Sequence, residues 1–308
     1  MGDWITTSMI DSDLVAFLNA HYLTSLVYTR AIIEMALIGD PIVIKYAERG
    51  RMIGCITGTL QKDTRGGEYL FVNFLCVHSG HRKQGLANKL KQKLLQIAVK
   101  RYPNVRQMYA VYTISTDLQT GNRNCDNDVS VESFERVCQD EYYHLPINPD
   151  VFDNVPPPTA TARLTVKNIE CATNGEREIV MKLLNSRRDG LYRMYTRREF
   201  TELFSGKCMQ GYIIYDSENT IVGYVSYYKI YNRVLDITVG QVCETVGDKT
   251  ISCLVESLMG TKEIDMLNYT SDKKIDDCGF VKGSSKLTWY TWGYKDTRAI
   301  NSIGLVSI

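Results

Sequence analysis

The chain has 308 residues, with 36 lysine and arginine against 35 aspartate and glutamate side chains, a formal net charge of +1 and 44% apolar residues. These values exclude a disordered, collagen-like or coiled-coil chain, and they give no overall charge that would attract nucleic acid or an acidic membrane. The length is enough for two domains or one large one.

The sequence predicts neither a membrane-spanning nor a secretory segment. No apolar run approaches the roughly 18 residues that cross a bilayer, and the first residues, MGDWITTSMIDSD, lack the basic and apolar regions of a secretory signal. The nine cysteines include no pair in C-x-x-C spacing, which favours free thiols. His78 and His81 are the only close histidine pair, without further ligands for a metal. We expect a cytoplasmic protein with no metal and no stable membrane insertion.

The first half of the chain is patterned as helices followed by a β-hairpin, a strand, a helix and another strand. A helical N-terminal region ends in RAIIEMALIG, and turn-prone residues 49–51 separate two short apolar runs, IVIKYAE and MIGCITGTL. The apolar strand YLFVNFLCVH comes next. It leads into the amphipathic segment RKQGLANKLKQKLLQIAVKR and the strand QMYAVYT. This order predicts an α+β unit.

The second half has a similar order of elements. The helix-like segments EREIVMKLLNSR and RREFTELF precede a hairpin, GYIIYDS with IVGYVSYY, in which Gly223 aligns with Gly54 of the first hairpin. The strand RVLDITVGQVC, the helix TISCLVESLMG and the strand KEIDMLN follow. Between the halves, the three prolines at 156–158 favour an extended linker. We therefore predict a duplicated unit with halves at residues 1–158 and 159–308.

A short basic loop separates the buried strand of the first half from its amphipathic helix. The loop contains Arg82, Lys83, Gln84, Gly85 and Ala87, and the helix follows at once. Small residues let a ligand approach the backbone, and the unpaired amides of a helix N-terminus favour an anion. This segment predicts a phosphate-binding site. The second half offers no equivalent basic cluster, so one cofactor per chain is expected.

The R-x-x-G-x-A spacing of this loop resembles the coenzyme A loop of the GCN5-related N-acetyltransferase (GNAT) fold. The string NFLCVH at residues 73–78 is similar to a motif of eukaryotic N-myristoyltransferases, which are tandems of two such folds. AVYT at 110–113, VSYY at 225–228 and the ending GLVSI at 304–308 resemble further motifs of that family, in the same order. The resemblance implies an α+β fold of two tandem GNAT-like halves with a pseudo-twofold relation.

The resemblance also implies a reaction, the transfer of a myristoyl group from myristoyl-CoA directly to the amine of an N-terminal glycine. The backbone amides of Phe74 and Leu75 would polarise the thioester carbonyl if the strand is bulged there; the alternative is core packing alone. The base would be the carboxylate of Ile308, with a pKa raised by burial. Thr113 would bind the substrate amine or, alternatively, face solvent. The positions implied to contact the cofactor are Asn73, Phe74, Leu75, Cys76, Val77, Arg82, Lys83, Gln84, Gly85, Leu86 and Ala87.

For the peptide, the resemblance implies contacts mainly in the second half. Ser226 matches a serine beside the substrate, and Asp265 matches an acidic position near basic residues of the peptide. As alternatives, Asp265 caps a strand end and the tyrosines at 227 and 228 are core aromatics. The positions implied to contact the peptide are Tyr112, Ser226, Tyr228, Asp265 and Leu305.

The chain departs from the family between residues 114 and 130, where a polar, turn-rich segment replaces an aromatic one that helps to form the peptide groove. Two alternative functions stay open: another acyl-CoA-dependent N-acyltransferase, for instance one that uses acetyl-CoA, and a catalytically silent acyl-CoA- or peptide-binding homologue. The expected partners are proteins with an N-terminal glycine, not nucleic acid. We expect a monomer.

Overall fold

The computed structural model describes most of the chain. The described residues are 2–22, 25–104, 107–115, 135–153, 155, 164–188, 191–204, 209–271, 278–292 and 303–304. The prolines at 156–158, most of the 114–130 segment, Leu305 and Ile308 lie outside them.

In the first half, the described helices and strands follow the order strand, helix, strand, helix, three strands, helix, two strands. They are β1 (Asp3–Thr7), α1 (Ser12–His21), β2 (Leu26–Val27), α2 (Arg30–Ala36), β3 (Asp40–Glu48), β4 (Arg51–Asp63), β5 (Glu68–Val77), α3 (Leu86–Arg101), β6 (Gln107–Ser115) and β7 (Glu135–Pro146).

The second half repeats that order and ends with one additional short strand. Its elements are β8 (Thr165–Asn168), α4 (Asn174–Ser186), β9 (Leu191–Met194), α5 (Arg197–Leu203), β10 (Met209–Tyr215), β11 (Ile221–Asn232), β12 (Ile237–Val246), α6 (Thr250–Leu258), β13 (Met266–Ser271), β14 (Val281–Trp292) and β15 (Ile303–Gly304).

Most helices begin where the sequence supplies a capping side chain. Asp11 accepts a hydrogen bond from the first turn of α1, and Thr173 and Thr196 open α4 and α5 with capping boxes. In contrast, α3 and α6 begin after residues with left-handed backbone, Gly85 and Lys249, and neither start has a side-chain cap. The first amides of these two helices are therefore left for other partners.

The strands form one continuous sheet in which the second half mirrors the first. The order is β1-β3-β4-β5-β6-β14-β7-β13-β12-β11-β10-β8. Each half also sends a short strand to the hairpin of the other, because β2 pairs with β11 and β9 pairs with β4. The predicted α+β fold of two related halves is thus confirmed. The boundary between residues 158 and 159 is outside the described part and stays a prediction.

The two halves interleave at the centre of the sheet. Strand β14, from the second half, lies between β6 and β7 of the first half and pairs antiparallel with both. Strand β7 in turn pairs with β13 of the second half. The central strands of each half are therefore completed by the other half.

Three apolar clusters stabilise the sheet. In the first, Leu86, Leu90 and Leu94 of α3 pack against Ile56 of β4 and Val72 of β5. A second cluster, on α6, consists mainly of second-half residues and includes Leu145 and Ile147 from the first half. The largest joins both halves. It takes residues from α1, α2, α4, α5 and the two hairpins, so the opposite face of β4 and β5 is buried against the second half.

One predicted strand begins later than its apolar pattern indicates. The segment RVLDITVGQVC is expected to be extended throughout, but β12 starts at Ile237 and residues 233–236 form a turn. Asn232 explains the difference, because its Oδ1 accepts hydrogen bonds from the amides of Val234 and Leu235 at 3.1 and 3.2 Å. An asparagine side chain that binds backbone amides two residues ahead favours a turn over a strand.

Candidate active site

The strand β5 is bulged at the two residues whose amides the resemblance singled out. In the pairing of β4 with β5, Cys55 is opposite Cys76 and Thr57 is opposite Asn73. Phe74 and Leu75 together therefore face the single residue Ile56. Phe74 has a φ of 45°, a conformation that bulky residues rarely adopt and that tends to occur at functional sites.

Aromatic packing accompanies the strained backbone at Phe74. The Phe74 ring is buried and meets Tyr28 and Tyr22 edge-on, with centroid distances of 5.5 and 6.1 Å. Leu75 packs on the opposite side, against the α3 cluster. The core-packing alternative therefore describes these side chains correctly. It leaves the role of their amides open.

The bulge lies where β5 and β6 part. These parallel strands pair from Tyr69 with Gln107 to Val72 with Ala110, and no further pair is present among the described residues. Along β6 the next residues include Tyr112 and Thr113, which pair on their other side with β14. Extension of the same register places Thr113 level with the bulge, across the gap from Leu75.

The loop between β5 and α3 leaves open space at the helix start. Gly85, the residue before α3, has a φ of 75°, and a Cβ at this position would meet no atom of the described residues within 4 Å. Lys83 also has left-handed backbone, with a φ of 60°, and its side chain is exposed. Gln84 is exposed, Leu86 is buried in the α3 cluster and Ala87 is half-buried. A helix N-terminus with uncapped amides, a nearby lysine and free space is suited to a phosphate group.

Arg82 does more at this loop than supply positive charge, because its guanidinium is hydrogen-bonded to two backbone carbonyl oxygens. Its Nε donates to the carbonyl oxygen of Val77 at 3.2 Å, and its Nη2 donates to the carbonyl oxygen of His21 at 2.5 Å. The ring of His21 lies 4.2 Å from that of His78. Burial, followed by His78 and Arg82, lowers the pKa of His21. Arg82 thus fastens the end of α1 to the loop as well as carrying charge.

In the equivalent loop of the second half, the backbone at Gly247 lies close against β11. A Cβ on Gly247 would lie 2.3 Å from the carbonyl oxygen of Val222, and one on Gly223 would lie 2.9 Å from Thr250. The two halves therefore share a fold but differ at this loop. The first loop has open space at Gly85, and the second lacks the pair of basic residues that flanks it there.

The predicted peptide-contact residues on β11 line a buried face between the halves. Ser226 is fully buried, opposite Glu244 of β12. The hydroxyls of Ser226 and Tyr224 are adjacent and have no other hydrogen-bond partner in the described part. Tyr228 is a buried core residue. Burial raises the pKa of its hydroxyl, which stays protonated.

Asp265 has the strand-end role that the sequence left as an alternative. Its Oδ1 accepts from Nδ2 of Asn148 at 2.7 Å and its Oδ2 accepts from the amide of Thr238 at 2.7 Å. Both carboxylate oxygens are therefore used within the protein, just before β13. Contact of Asp265 with a peptide stays a prediction.

A buried ion pair organises the second half beside this face. Nη1 of Arg187 lies 2.7 Å from Oε2 of Glu244, and the hydroxyl of Tyr195 donates to Oε1 of the same carboxylate. The Arg187 guanidinium also lies over the ring of Tyr192, 4.1 Å from its centroid. Arg187 thus links β12 to β9.

The last described strand is directed along β4 toward the bulge. Gly304 of β15 pairs parallel with Tyr192 of β9, and β9 pairs antiparallel with β4 at Lys62 and Asp63. The chain at Gly304 therefore runs toward the lower-numbered residues of β4, where Ile56 faces the bulge. Leu305 and Ile308 follow outside the described residues.

The buried polar residues of β4 are absent from the sequence predictions. Thr57, Thr59, Gln61 and Asp63 are all buried on one face of the strand. Their alternate spacing in an apolar hairpin is a signal that an inner polar surface exists, because buried hydroxyls and amides are costly without a partner. The sequence predictions also omit His21, because its contact with Arg82 joins residues that are 61 positions apart.

Comparison with known proteins agrees with this architecture. The model of the acetyltransferase (GNAT) family matches residues 11–123. The structure of Saccharomyces cerevisiae N-myristoyltransferase with bound myristoyl-CoA superposes with a TM-score of 0.71 at 15% identity, over 100% of this chain and 85% of that one. The chain has the N-myristoyltransferase fold. A second structure of the yeast enzyme, with myristoyl-CoA and inhibitors, gives a TM-score of 0.70 at 16% identity over 100% and 86% of the two chains.

Among curated proteins, a glycylpeptide N-tetradecanoyltransferase from Candida albicans is 22% identical over 287 residues, which cover 82% of this chain and 63% of that protein. The chain thus spans less than two thirds of this relative. Within its N-myristoyltransferase fold, none of the described helices has the length and apolarity to cross a membrane. No group of three or more His, Cys, Asp or Glu side chains in the described part is arranged to hold a metal ion.

Proposed function

We propose that the protein transfers a myristoyl group from myristoyl-CoA to the N-terminal glycine amine of protein substrates. The observation that carries this proposal is the bulge at Phe74 and Leu75, which lies beside the gap between β5 and β6, on the strand that leads through the basic loop to the uncapped start of α3. The loop would take a phosphate of the coenzyme, and the bulge would take the thioester carbonyl. The shared fold with enzymes that bind myristoyl-CoA supports the assignment.

The reaction joins the glycine nitrogen to the thioester carbon and breaks the carbon–sulfur bond, so the coenzyme A thiol leaves. Negative charge develops on the carbonyl oxygen. The amides of Phe74 and Leu75 would donate to that oxygen, and one such donor lowers the barrier by about 3 kcal/mol. No side-chain nucleophile is needed for a direct transfer of this kind.

A base must first take a proton from the glycine amine, because an α-amino group has a pKa of about 8 and is mostly charged at neutral pH. We propose the carboxylate of Ile308 for this role, and Thr113 as an acceptor for the amine. The direction of β15 along β4, toward the bulge, supports the first assignment. The register of β6 beside the bulge supports the second.

The peptide would lie between the halves, where the described structure supplies buried hydroxyl groups. Ser226 is the residue proposed to contact it, because its hydroxyl lies beside that of Tyr224 and has no other hydrogen-bond partner among the described residues. The proposal includes a monomeric enzyme that acts in the cytoplasm.

The decisive experiment is a turnover assay with myristoyl-CoA and a panel of peptides that begin with glycine, with alanine-initiated peptides as the control. We expect acylation of the glycine peptides alone, seen as a mass increase of one myristoyl group. A preference for acetyl-CoA on the same peptides would favour the alternative N-acyltransferase. Tight binding of myristoyl-CoA without turnover on any peptide would favour a silent binding homologue.

A further inference from the structure

Two side chains of β4 hold the carbonyl groups of the bulge. The hydroxyl of Thr57 donates to the carbonyl oxygen of Asn73 at 2.9 Å. The thiol of Cys55 donates to the carbonyl oxygen of Phe74 at 3.7 Å. Both donors are fully buried. A bulge disrupts the regular ladder between two strands, so side chains can substitute for backbone donors at this point.

These two carbonyls belong to the same peptide groups as the amides of Phe74 and Leu75. In a planar trans peptide, the C=O and N–H bonds point in opposite directions, and the described chain has no cis peptide. A carbonyl of Asn73 held toward β4 therefore directs the amide of Phe74 away from β4. The same holds for the carbonyl of Phe74 and the amide of Leu75. Away from β4 lies the gap beside β6.

The strained conformation at Phe74 makes such an anchor necessary. A φ of 45° is unfavourable for a phenylalanine, so the surrounding contacts have to hold it in place. The rings of Tyr28 and Tyr22 fix the side chain of Phe74. They do not fix the orientation of the flanking peptide planes. The two buried donors on β4 contact those planes directly, through the carbonyl oxygens of Asn73 and Phe74.

The protonation state of Cys55 is compatible with this role. A hydrogen bond with Cys76, together with burial, raises the pKa of the Cys55 thiol well above its usual value. The group therefore keeps its proton and remains a donor at neutral pH. A thiol is a weak donor compared with a hydroxyl, so Thr57 is the stronger anchor of the two.

We propose that Thr57, assisted by Cys55, is a positioning residue that orients the amides of Phe74 and Leu75 toward the thioester carbonyl. This inference rests on the proposed function, because the orientation of the amides affects the rate only if they polarise a carbonyl. Thr57 acts through the backbone of Asn73. The bulge alone does not set the direction of its amides.

Thr57→Val tests the proposal because it removes the hydroxyl and keeps the shape of the side chain. Since loss of one oxyanion donor lowers kcat by about 100-fold or more, we expect a misdirected donor to lower kcat by about tenfold. The KM for peptide and the Kd for myristoyl-CoA should change less than about twofold. Thr57→Ser retains the hydroxyl and should retain kcat. Cys55→Ala should lower kcat by about threefold, as expected for the weaker anchor.

Thr59→Val is the matched control. Thr59 is also fully buried on the same face of β4, and its hydroxyl has no hydrogen-bond partner in the described part. We expect its kcat to equal that of the wild type. Thermal unfolding of each variant reports whether the fold is kept. Should Thr57→Val fail to fold, Thr57→Ser and Cys55→Ala carry the comparison, and unchanged kcat in Cys55→Ala then overturns the assisting role of the thiol.

A second readout separates this inference from the proposed function. The amide nitrogen and proton shifts of Phe74 and Leu75 are measured by NMR in the ligand-free protein. We expect Thr57→Val to move both signals, while Thr57→Ser and Thr59→Val leave them in place. Unmoved signals in Thr57→Val, or an unchanged kcat, overturn the positioning role. If the wild-type protein shows no turnover, the proposed function is contradicted. The NMR shifts alone then test whether Thr57 orients the amides of the bulge.

Discussion

Arg82 donates from Nη2 to the backbone carbonyl oxygen of His21, and this bond fastens the end of α1 to the loop in front of α3. The same guanidinium donates from Nε to Val77, the last residue of β5. A planar group with several donors can hold two carbonyls at once, which a lysine ammonium on a flexible stem does poorly. Arg82 therefore holds the loop in place by its hydrogen bonds and also attracts anions by its charge.

Replacement of Arg82 by lysine separates these two contributions. Arg82→Lys keeps the charge but loses the paired hydrogen bonds, each of which contributes about 1.5–3 kcal/mol. We expect the Kd for myristoyl-CoA to rise about tenfold in Arg82→Lys and to rise further in Arg82→Ala, which loses the charge as well. Isothermal titration calorimetry measures the change. Wild-type affinity in Arg82→Lys would show that the charge alone is responsible.

The open space at Gly85 gives a prediction with a matched control. Gly85 and Gly50 have φ values of 75° and 74°, and at both a Cβ meets no atom within 4 Å. Because alanine costs about 1–2 kcal/mol in left-handed backbone, Gly85→Ala and Gly50→Ala should lower stability to a similar extent. Only Gly85→Ala should weaken myristoyl-CoA binding, because Gly50 lies in the turn between β3 and β4. Equal affinities of the two variants would argue against ligand binding at this loop.

The proposed base predicts that the carboxylate of Ile308 is needed for turnover but not for binding the acyl donor. Deletion of Ile308, or extension of the chain beyond it, should lower kcat by about 100-fold or more, the usual contribution of a general base. The Kd for myristoyl-CoA should stay within about twofold of the wild type. The measurement is a single-turnover assay with a glycine peptide. Activity that survives both changes would rule out this carboxylate as the base.

The buried ion pair predicts that replacement of Glu244 lowers the stability of the fold much more than replacement of the exposed Glu202. Glu244→Gln leaves the Arg187 guanidinium, which is 9% exposed, without a counter-charge. Loss of one partner of a buried pair costs about 3–5 kcal/mol. Glu202 pairs with Arg198, which is 87% exposed, so Glu202→Gln should change stability by less than about 1 kcal/mol. Urea unfolding compares the two. Similar midpoints would mean that the Arg187–Glu244 pair adds little to the fold.

The environment of His21 predicts a loss of stability in mild acid. Burial, together with His78 and Arg82, lowers the pKa of His21 in the folded protein, so the unfolded chain binds the proton more tightly. Its contribution to stability is then constant above the ordinary pKa of about 6.5 and decreases as the pH falls below it. We expect the urea midpoint to drop between pH 7.5 and 5.5, and to drop less in His21→Gln. An equal drop in both proteins would contradict this assignment.

Most of the fold can be predicted from the apolar periodicity of the sequence and from its helix-capping residues. The hairpins around Gly54 and Gly223, and the helices α4 and α5 with their threonine caps, follow from local patterns. In contrast, β2 has two residues and β9 has four. Segments that short have no usable periodicity. Their pairing with the hairpin of the opposite half depends on contacts between residues far apart in sequence.

The candidate site also has one part that the sequence predicts and one part that it does not. The loop at Arg82 and Gly85 is predictable, since a strand, a basic loop with small residues and a helix follow one another directly. The bulge is not. Its key backbone angle belongs to Phe74, where local rules favour glycine, and only the resemblance of NFLCVH points to that position. The anchoring of Asn73 by Thr57 joins residues 16 apart on two strands and requires the register of the pair.

The insertion of β14 between β6 and β7 has a consequence for synthesis of the chain. Both first-half strands acquire their shared neighbour only after residue 292 has left the ribosome. Until then the nascent first half carries strand edges that are open to other chains. The order of translation thus makes the whole polypeptide, not either half, the unit that must be protected from aggregation as it folds.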